Sequence, residues 1–214
     1  LLSSLQAIAQ ENPNDVSENY FTVNDTVKKL KEVVVTAKNN PSKSSVNRAG
    51  IKEKDLPQAV QVIGTEIIQQ QQSVRLSDVV KNANGVYVGS ARGGAQESFW
   101  SRGYDMSANN MFKNGFRFNS GSIPEVASLE KVEILKGSAA LLYGNVAPGG
   151  IMNMVTKSPN FRTGGEITMQ AGSYSFYKPS ADVYGAFNNS IAYRFNGSYE
   201  NSESFRDYVT RERY

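Results

Sequence analysis

The feature that most constrains this chain is a strict alternation of side chains near its C-terminal end. Ile191, Tyr193, Phe195, Gly197 and Tyr199 alternate with Ala192, Arg194, Asn196, Ser198 and Glu200. One face of such a strand is apolar and aromatic, while the other is small, polar or charged. Ala181, Val183, Gly185 and Phe187 alternate with Ser180, Asp182 and Tyr184, and Ile167, Met169 and Ala171 with Glu166, Thr168 and Gln170. Asn188-Asn189 suits a tight turn between two long strands. Strands of about ten residues, apolar outward and polar inward, cross a bilayer as part of a closed barrel. The competing reading is an amphipathic sheet packed on the domain before it. Three strands leave two open edges, and an open edge cannot face lipid. The membrane reading therefore expects a barrel that continues beyond Tyr214, with 161–214 as its first strands.

Composition narrows the remaining choices. No run of about 18 apolar residues occurs, so no helix spans a bilayer. The chain has no cysteine and no histidine. That excludes a disulfide framework, thiolate metal sites and a Ser-His-Asp triad, and removes the usual general base at neutral pH. Net charge is +3, with no basic block, so nucleic-acid binding has no support.

The first residues, Leu1 to Ala9, end in the small-x-small triplet Ala7-Ile8-Ala9. They read as the tail of a secretory signal peptide whose basic start is missing, with the start of an ordinary amphipathic helix as the alternative. Residues 10–45 read as a flexible segment, polar and aperiodic at first. Within it, Glu32-Val33-Val34-Val35-Thr36-Ala37 has strong β propensity. Such a tethered β segment suits strand addition to a partner's sheet edge. It suits equally an edge strand of the domain that follows.

Residues 46–160 read as a small α+β domain. Ala59 to Ile63 alternates as a strand, which Pro57 confines to a sheet edge. Thr65 is expected to cap a helix through Ile67 and Ile68. Leu76, Val79, Val80 and Ala83 fall on one helix face, and Gly85 can end that helix in the left-handed conformation. Val86 to Val88 resumes as strand before a Gly-rich stretch, Gly89 to Gln96. That stretch has no Gly-Lys-Ser/Thr and is not a phosphate loop. Met111 to Phe118 reads as a hairpin whose Asn114-Gly115 fits a type I′ turn. Leu129 to Lys136 is a strand, Ala139 to Tyr143 a single helical turn, Pro148-Gly149 the centre of a type II turn, and Ile151 to Lys157 a further strand.

These segments, taken in order, resemble a known family. The series runs Glu-Val-Val-Val-Thr-Ala, Leu-Pro-Gln-Ala-Val-Gln-Val-Ile, Asp78-Val79-Val80, Asn84-Gly85-Val86 and Ser101-Arg102-Gly103-Tyr104. It continues through Asn114-Gly115, Leu129 to Gly137, Leu142-Tyr143-Gly144 and Pro148 to Asn153. The chain is similar to the plug of TonB-dependent receptors, most of all the ferrichrome-receptor type of ferric-siderophore receptor. The resemblance implies an outer-membrane barrel of 22 strands with the plug in its lumen. It implies that residues 32–37 are a TonB box pairing with TonB, which passes on energy from the inner-membrane proton gradient. It implies no resident cofactor, the iron travelling as ferric siderophore.

The resemblance also distributes roles. Arg92 matches a ligand-contact position of the family, with a plug–barrel ion pair as the alternative. Asn109 and Asn110 before the hairpin, and Phe118 and Asn119 after it, are further candidates for the ligand-facing apex. Trp100 reads as core. Family plugs carry an arginine in each of two Arg-Gly motifs that latches to barrel glutamates. Arg102 fits the first, but Lys136 occupies the second and lacks the bidentate fork. The segment between the hairpin and Leu129 is shorter than in the ferrichrome receptor, so ferrichrome itself is not carried over. Other readings are a receptor for cobalamin, haem or a glycan, a plug-only binding module, a phage or bacteriocin docking protein, and a carboxylate enzyme. The last is disfavoured because Glu130 and Glu133 fall on opposite faces of one strand.

Overall fold

A computed structural model describes residues 59–92, 96–107, 109–118, 124–137 and 143–214. The signal tail, the flexible segment and the box at 32–37 lie outside the described residues.

The first half builds two small sheets around one core. β1 (Ala59–Gly64), β5 (Met111–Lys113), β6 (Phe116–Arg117), β7 (Leu129–Lys136) and β8 (Gly150–Thr156) form a five-stranded sheet in the order β1-β7-β8-β5-β6. β1 lies at the edge, where Pro57 requires it. β7 and β8 pair antiparallel, and β5 joins β8 in parallel. A second sheet holds β2 (Val86–Arg92), β3 (Gln96–Ser101) and β4 (Tyr104–Asp105). Between β1 and β2 run α1 (Thr65–Gln70) and α2 (Leu76–Val80).

The helical spacing places Leu76, Val79, Val80 and Ala83 against Val132, Ile134, Met152 and Phe99 in the main core. The opposite face of the five-stranded sheet is also covered. There Phe112, Leu135, Tyr143 and Ile151 form a second cluster. On β7, Lys131 and Glu133 are buried as an ion pair of 2.9 Å, and Asn153 donates to Glu133 at 3.0 Å. Glu130, just before Lys131, is exposed, so the carboxylates of Glu130 and Glu133 do separate by face.

Two local expectations are corrected. Thr65 does not cap α1, because Gly64 occupies the cap position and the Thr65 hydroxyl donates to the Glu130 carbonyl at 2.6 Å. Pro148-Gly149 does not centre a type II turn. Positive φ falls one residue later, at Gly150 (+124°), whose Cα packs on the Leu135 carbonyl so closely that a side chain has no room. The hairpin expectation holds, with φ of +51° at Asn114 and +81° at Gly115.

The second half is a wall of antiparallel strands. β9 (Gly164–Gly172) pairs with β10 (Phe176–Ala186), which pairs with β11 (Ala192–Ser198) and, further on, with β12 (Glu200–Glu203). β13 (Thr210–Arg213) adds to β12, a strand beyond the three that alternation revealed. β11 and β12 are one course interrupted at Tyr199. The turn is closed by the Asn188 carboxamide, which accepts from Ser190 N and Ile191 N at 2.8 Å each. The apolar face points away from the first half: Ile167 is 84% exposed, Met169 63% and Phe195 68%. The polar face is the one covered, with Lys178, Asp182 and Glu200 buried. This removes the reading in which the wall's apolar face packs on the domain.

Two outcomes test this account. Leu76→Ala, which empties a fully buried site, is expected to cost about 2–5 kcal/mol, read by urea unfolding through the fluorescence of Trp100, the single tryptophan. The second concerns Asp78, which accepts from Arg75 N at 3.1 Å and from Lys81 at 2.9 Å. Partial burial raises its pKa, but the Lys81 ammonium and the amides of Arg75 and Val74 outweigh that and hold it below the usual value. A depressed folded pKa stabilises above the unfolded value of about 3.9, and that stability is lost as pH falls through the folded value. Asp78→Asn is therefore expected to be less stable than the parent at pH 7, with the gap closing below pH 4 in acid-unfolding titrations.

Candidate functional site

The inward charges at Lys178, Asp182, Arg194, Glu200, Arg211 and Arg213 find partners on the domain or beside it, and they form two groups. In the first, Asp182 on β10 accepts both arms of Arg194 from β11, at 2.8 and 2.7 Å. It also accepts Lys157, from just beyond β8, at 2.8 Å. Arg194 reaches on to the Ser158 carbonyl at 2.9 Å. In the second, Lys178 on β10 donates to Glu125 at 2.7 Å and faces Glu200 at 3.7 Å. Arg211 pairs with Glu200 at 3.3 Å, and Arg213 with Glu125 at 3.2 Å. Glu125 stands immediately before a short 3-10 turn, Val126–Ser128, and caps it by accepting from Ala127 N. One carboxylate of the domain thus ties a turn of it to two strands of the wall. None of these eight residues was singled out from sequence. The available signal was a charge at the inward position of an alternating strand, as at Lys178, Asp182, Glu200, Arg211 and Arg213.

Between the two groups the contacts are neutral or half-neutral. Gln69 donates to Glu166 at 3.1 Å, Gln170 to the Gln72 carbonyl at 3.3 Å, and Asn196 to the Ala127 carbonyl at 3.2 Å.

The candidate latch residues lie side by side. Arg102, at φ +52°, and Gly103, at +82°, turn the chain from β3 into β4. The Arg102 guanidinium lies over Gly137, 3.2 Å from where a Cβ would stand. Lys136 donates to Gln61 at 3.1 Å, and burial together with the neighbouring Arg102 charge lowers its pKa. Among the described residues neither cation pairs with an acid. Two adjacent cations cost repulsion, which an acid from elsewhere would relieve.

The candidate ligand residues divide. Asn109 is exposed. Asn110 is not available at the apex: it is fully buried, and its carboxamide donates to the Ala147 and Gly150 carbonyls at 2.8 and 2.5 Å and accepts from Ala147 N at 3.0 Å. It clasps the Pro148-Gly149 turn, and burial of an amide demands such partners. Phe118 is half-buried against the main core. Arg92 ends β2, and its side chain, like Asn119, lies outside what the structure describes. Trp100 is half-buried and lies across Gly89, where a Cβ would collide with its indole. Phe116, at the hairpin tip, is 80% exposed, an aromatic the sequence reading passed over.

Comparison with known proteins gives this arrangement its class. Residues 52–151 match the family model described as TonB-dependent Receptor Plug Domain. The chain carries a TonB-dependent receptor plug, followed by antiparallel strands. The metal-pseudopaline receptor CntO of Pseudomonas aeruginosa PAO1 is 33% identical over 181 residues, covering 79% of this chain and 24% of that protein. The ferrioxamine B receptor of Salmonella typhimurium LT2 is 29% identical over 205 residues, covering 90% and 28%. The crystal structure of the ferric-catecholate import receptor Fiu of Escherichia coli K12, open form, superposes with a TM-score of 0.66 at 29% identity, covering 74% of this chain and 23% of that one. The chain thus spans about a quarter of the length of the curated relatives it matches.

The ion groups make a quantitative prediction. Asp182→Ala leaves two largely buried cations without their acceptor and is expected to destabilise by roughly 1.5–3 kcal/mol. Asp182→Asn, which keeps one acceptor oxygen, should lose less. Urea unfolding of the two variants in the same protein checks the order.

Proposed function

We propose that this chain is the plug-bearing part of a TonB-dependent importer of ferric siderophores in the bacterial outer membrane. The observation that carries the reading is the orientation of the wall. Its polar face is filled by the plug, and its apolar face is turned outward, as a barrel strand in lipid requires. Relatives named as receptors for ferrioxamine B and for catecholate siderophores support this cargo class. A neighbouring reading is also favoured by a specific finding. The relative named for metal-pseudopaline suggests that the cargo is a metal chelate more broadly. Iron or another metal is cargo in either case, and the chain supplies no chemistry to it.

In this reading Arg102 and Lys136 form the latch, waiting on acids of the barrel. Their lack of acidic partners among the described residues supports that role. Arg92, Asn109, Phe118 and Asn119 remain candidates for the ligand-facing side, and Phe116 joins them because a large exposed aromatic offers a wall to a bulky chelate. Glu32 to Ala37 serve as the TonB box. Ligand binding on one side shifts the plug and releases the box on the other, a population shift between two states.

The test uses the full-length receptor in cells lacking other siderophore receptors, supplied with iron-55 chelates of hydroxamate and catecholate type. Uptake of at least one chelate, dependent on TonB, is expected. Val34→Pro removes a backbone donor from the paired strand. It should cut uptake at least tenfold and leave chelate binding unchanged. Uptake at the parental rate in that variant would remove the box assignment, and uptake of none of the chelates would remove the siderophore reading.

A further inference from the structure

The outward face of the wall ends in a cluster that import of a chelate does not use. Tyr177 on β10, Tyr199 between β11 and β12, and Glu212 on β13 stand on that face, with Tyr214 just past β13 beside them. The rings lie in series: Tyr177 and Tyr199 have centroids 5.7 Å apart, and Tyr199 and Tyr214 5.3 Å. Tyr199 and Tyr214 donate their hydroxyls to the same oxygen of Glu212, Oε1, at 2.9 and 2.7 Å. The other oxygen, Oε2, has no hydrogen-bond or ion-pair partner among the described residues, and the side chain is exposed. The cations of the same strand do not answer it, because Arg211 and Arg213 turn inward and pair with Glu200 and Glu125.

Register fixes the level of this cluster along the wall. Tyr177 pairs with Asn201, and Asn201 with Glu212, so the carboxylate shares a rung with an amide. To one side of that rung the outward positions are uncharged, as at Ile167, Met169, Val183 and Phe195; to the other comes Glu203. Charge on the lipid side of a barrel is tolerated near the interface and not at the midplane, and aromatic side chains gather at the same level. Glu212 therefore stands where headgroups, rather than acyl chains, meet the wall. A carboxylate with a free oxygen beside a row of tyrosine rings suits a small cation. Calcium asks for about six to eight oxygen ligands, and no group of three or more ligating side chains occurs among the described residues. A primary ammonium asks for less: one carboxylate oxygen gives it a charge-assisted bond, and aromatic faces attract its charge. We propose that Glu212 and its tyrosines bind the ammonium of an ethanolamine-type lipid headgroup and so seat the wall at one boundary of the membrane. The inference rests on the outward orientation of the wall in the importer reading above.

The test supplies the full-length receptor, in detergent, with equal amounts of phosphatidylethanolamine and phosphatidylglycerol, and counts the lipids it carries by native mass spectrometry. Phosphatidylethanolamine is expected to be retained at least threefold over phosphatidylglycerol. Glu212→Gln, which keeps the shape and removes the charge, should abolish the preference. Glu203→Gln removes an outward carboxylate outside the tyrosine cluster and should leave the preference as in the parent. Equal retention of the two lipids by the parent overturns the headgroup site. So does an unchanged preference in Glu212→Gln, or an equal loss in Glu203→Gln. A preference for phosphatidylglycerol that appears only with calcium also overturns it, in favour of a metal bridging Glu212 to a phosphate. Retention of neither lipid removes the lipid-facing reading of the wall and the headgroup site with it. Lipid preference in a receptor that takes up no chelate keeps the headgroup site and removes the importer reading alone.

Discussion

Charge turned toward a covered surface has to be answered, and that constraint organises this molecule. The wall carries Lys178, Asp182, Arg194, Glu200, Arg211 and Arg213 on its inward face. Leaving any one of them buried without a partner would cost several kcal/mol. Only a neighbour with matching charges can occupy that face, and Glu125 and Lys157 supply the plug's share of the matches. Buried ion pairs contribute little net stability compared with apolar packing of the same volume, but they discriminate strongly between registers. The contact between plug and wall is therefore well specified without being strongly adhesive.

The plug has the opposite character inside. Its central strands β7 and β8 are buried on both faces, one against α1, α2 and the second sheet, the other under Phe112 and Tyr143. Its longer connections are secured by side chains rather than by further strands. Asn110 clasps the Pro148-Gly149 turn, Asn153 accepts from Gly115 N behind the hairpin, and Glu97 accepts from Ser77 N and its hydroxyl at the start of α2.

Much of the architecture was legible in the residues. Alternation from Ile191 to Tyr199 is a period-2 signal that nothing but a two-faced strand satisfies, and the exposed Phe195 beside the inward Arg194 follows from it. Helical spacing put Leu76, Val79, Val80 and Ala83 together, and all four are core. Asn114-Gly115 named its own turn because positive φ at two consecutive positions favours that pair. The sites were less legible. Asn110 looked like a polar loop residue because nothing local announces that a turn some 40 residues later will close over it. Thr65 looked like a cap because Ser and Thr favour such positions, yet its hydroxyl was captured by the Glu130 carbonyl from a neighbouring strand.

The sequence by itself determined the periodicities, the turn chemistry and the chemical classes that no histidine or cysteine leaves available, since these depend on residues near one another in the chain. It determined as well that the wall has one apolar and one polar face. Tertiary structure alone decided which face meets the plug and which charge answers which across the interface between them. Those outcomes depend on distances between side chains 20 to 100 residues apart. Such distances are set by the packing of whole sheets, and no local pattern records them.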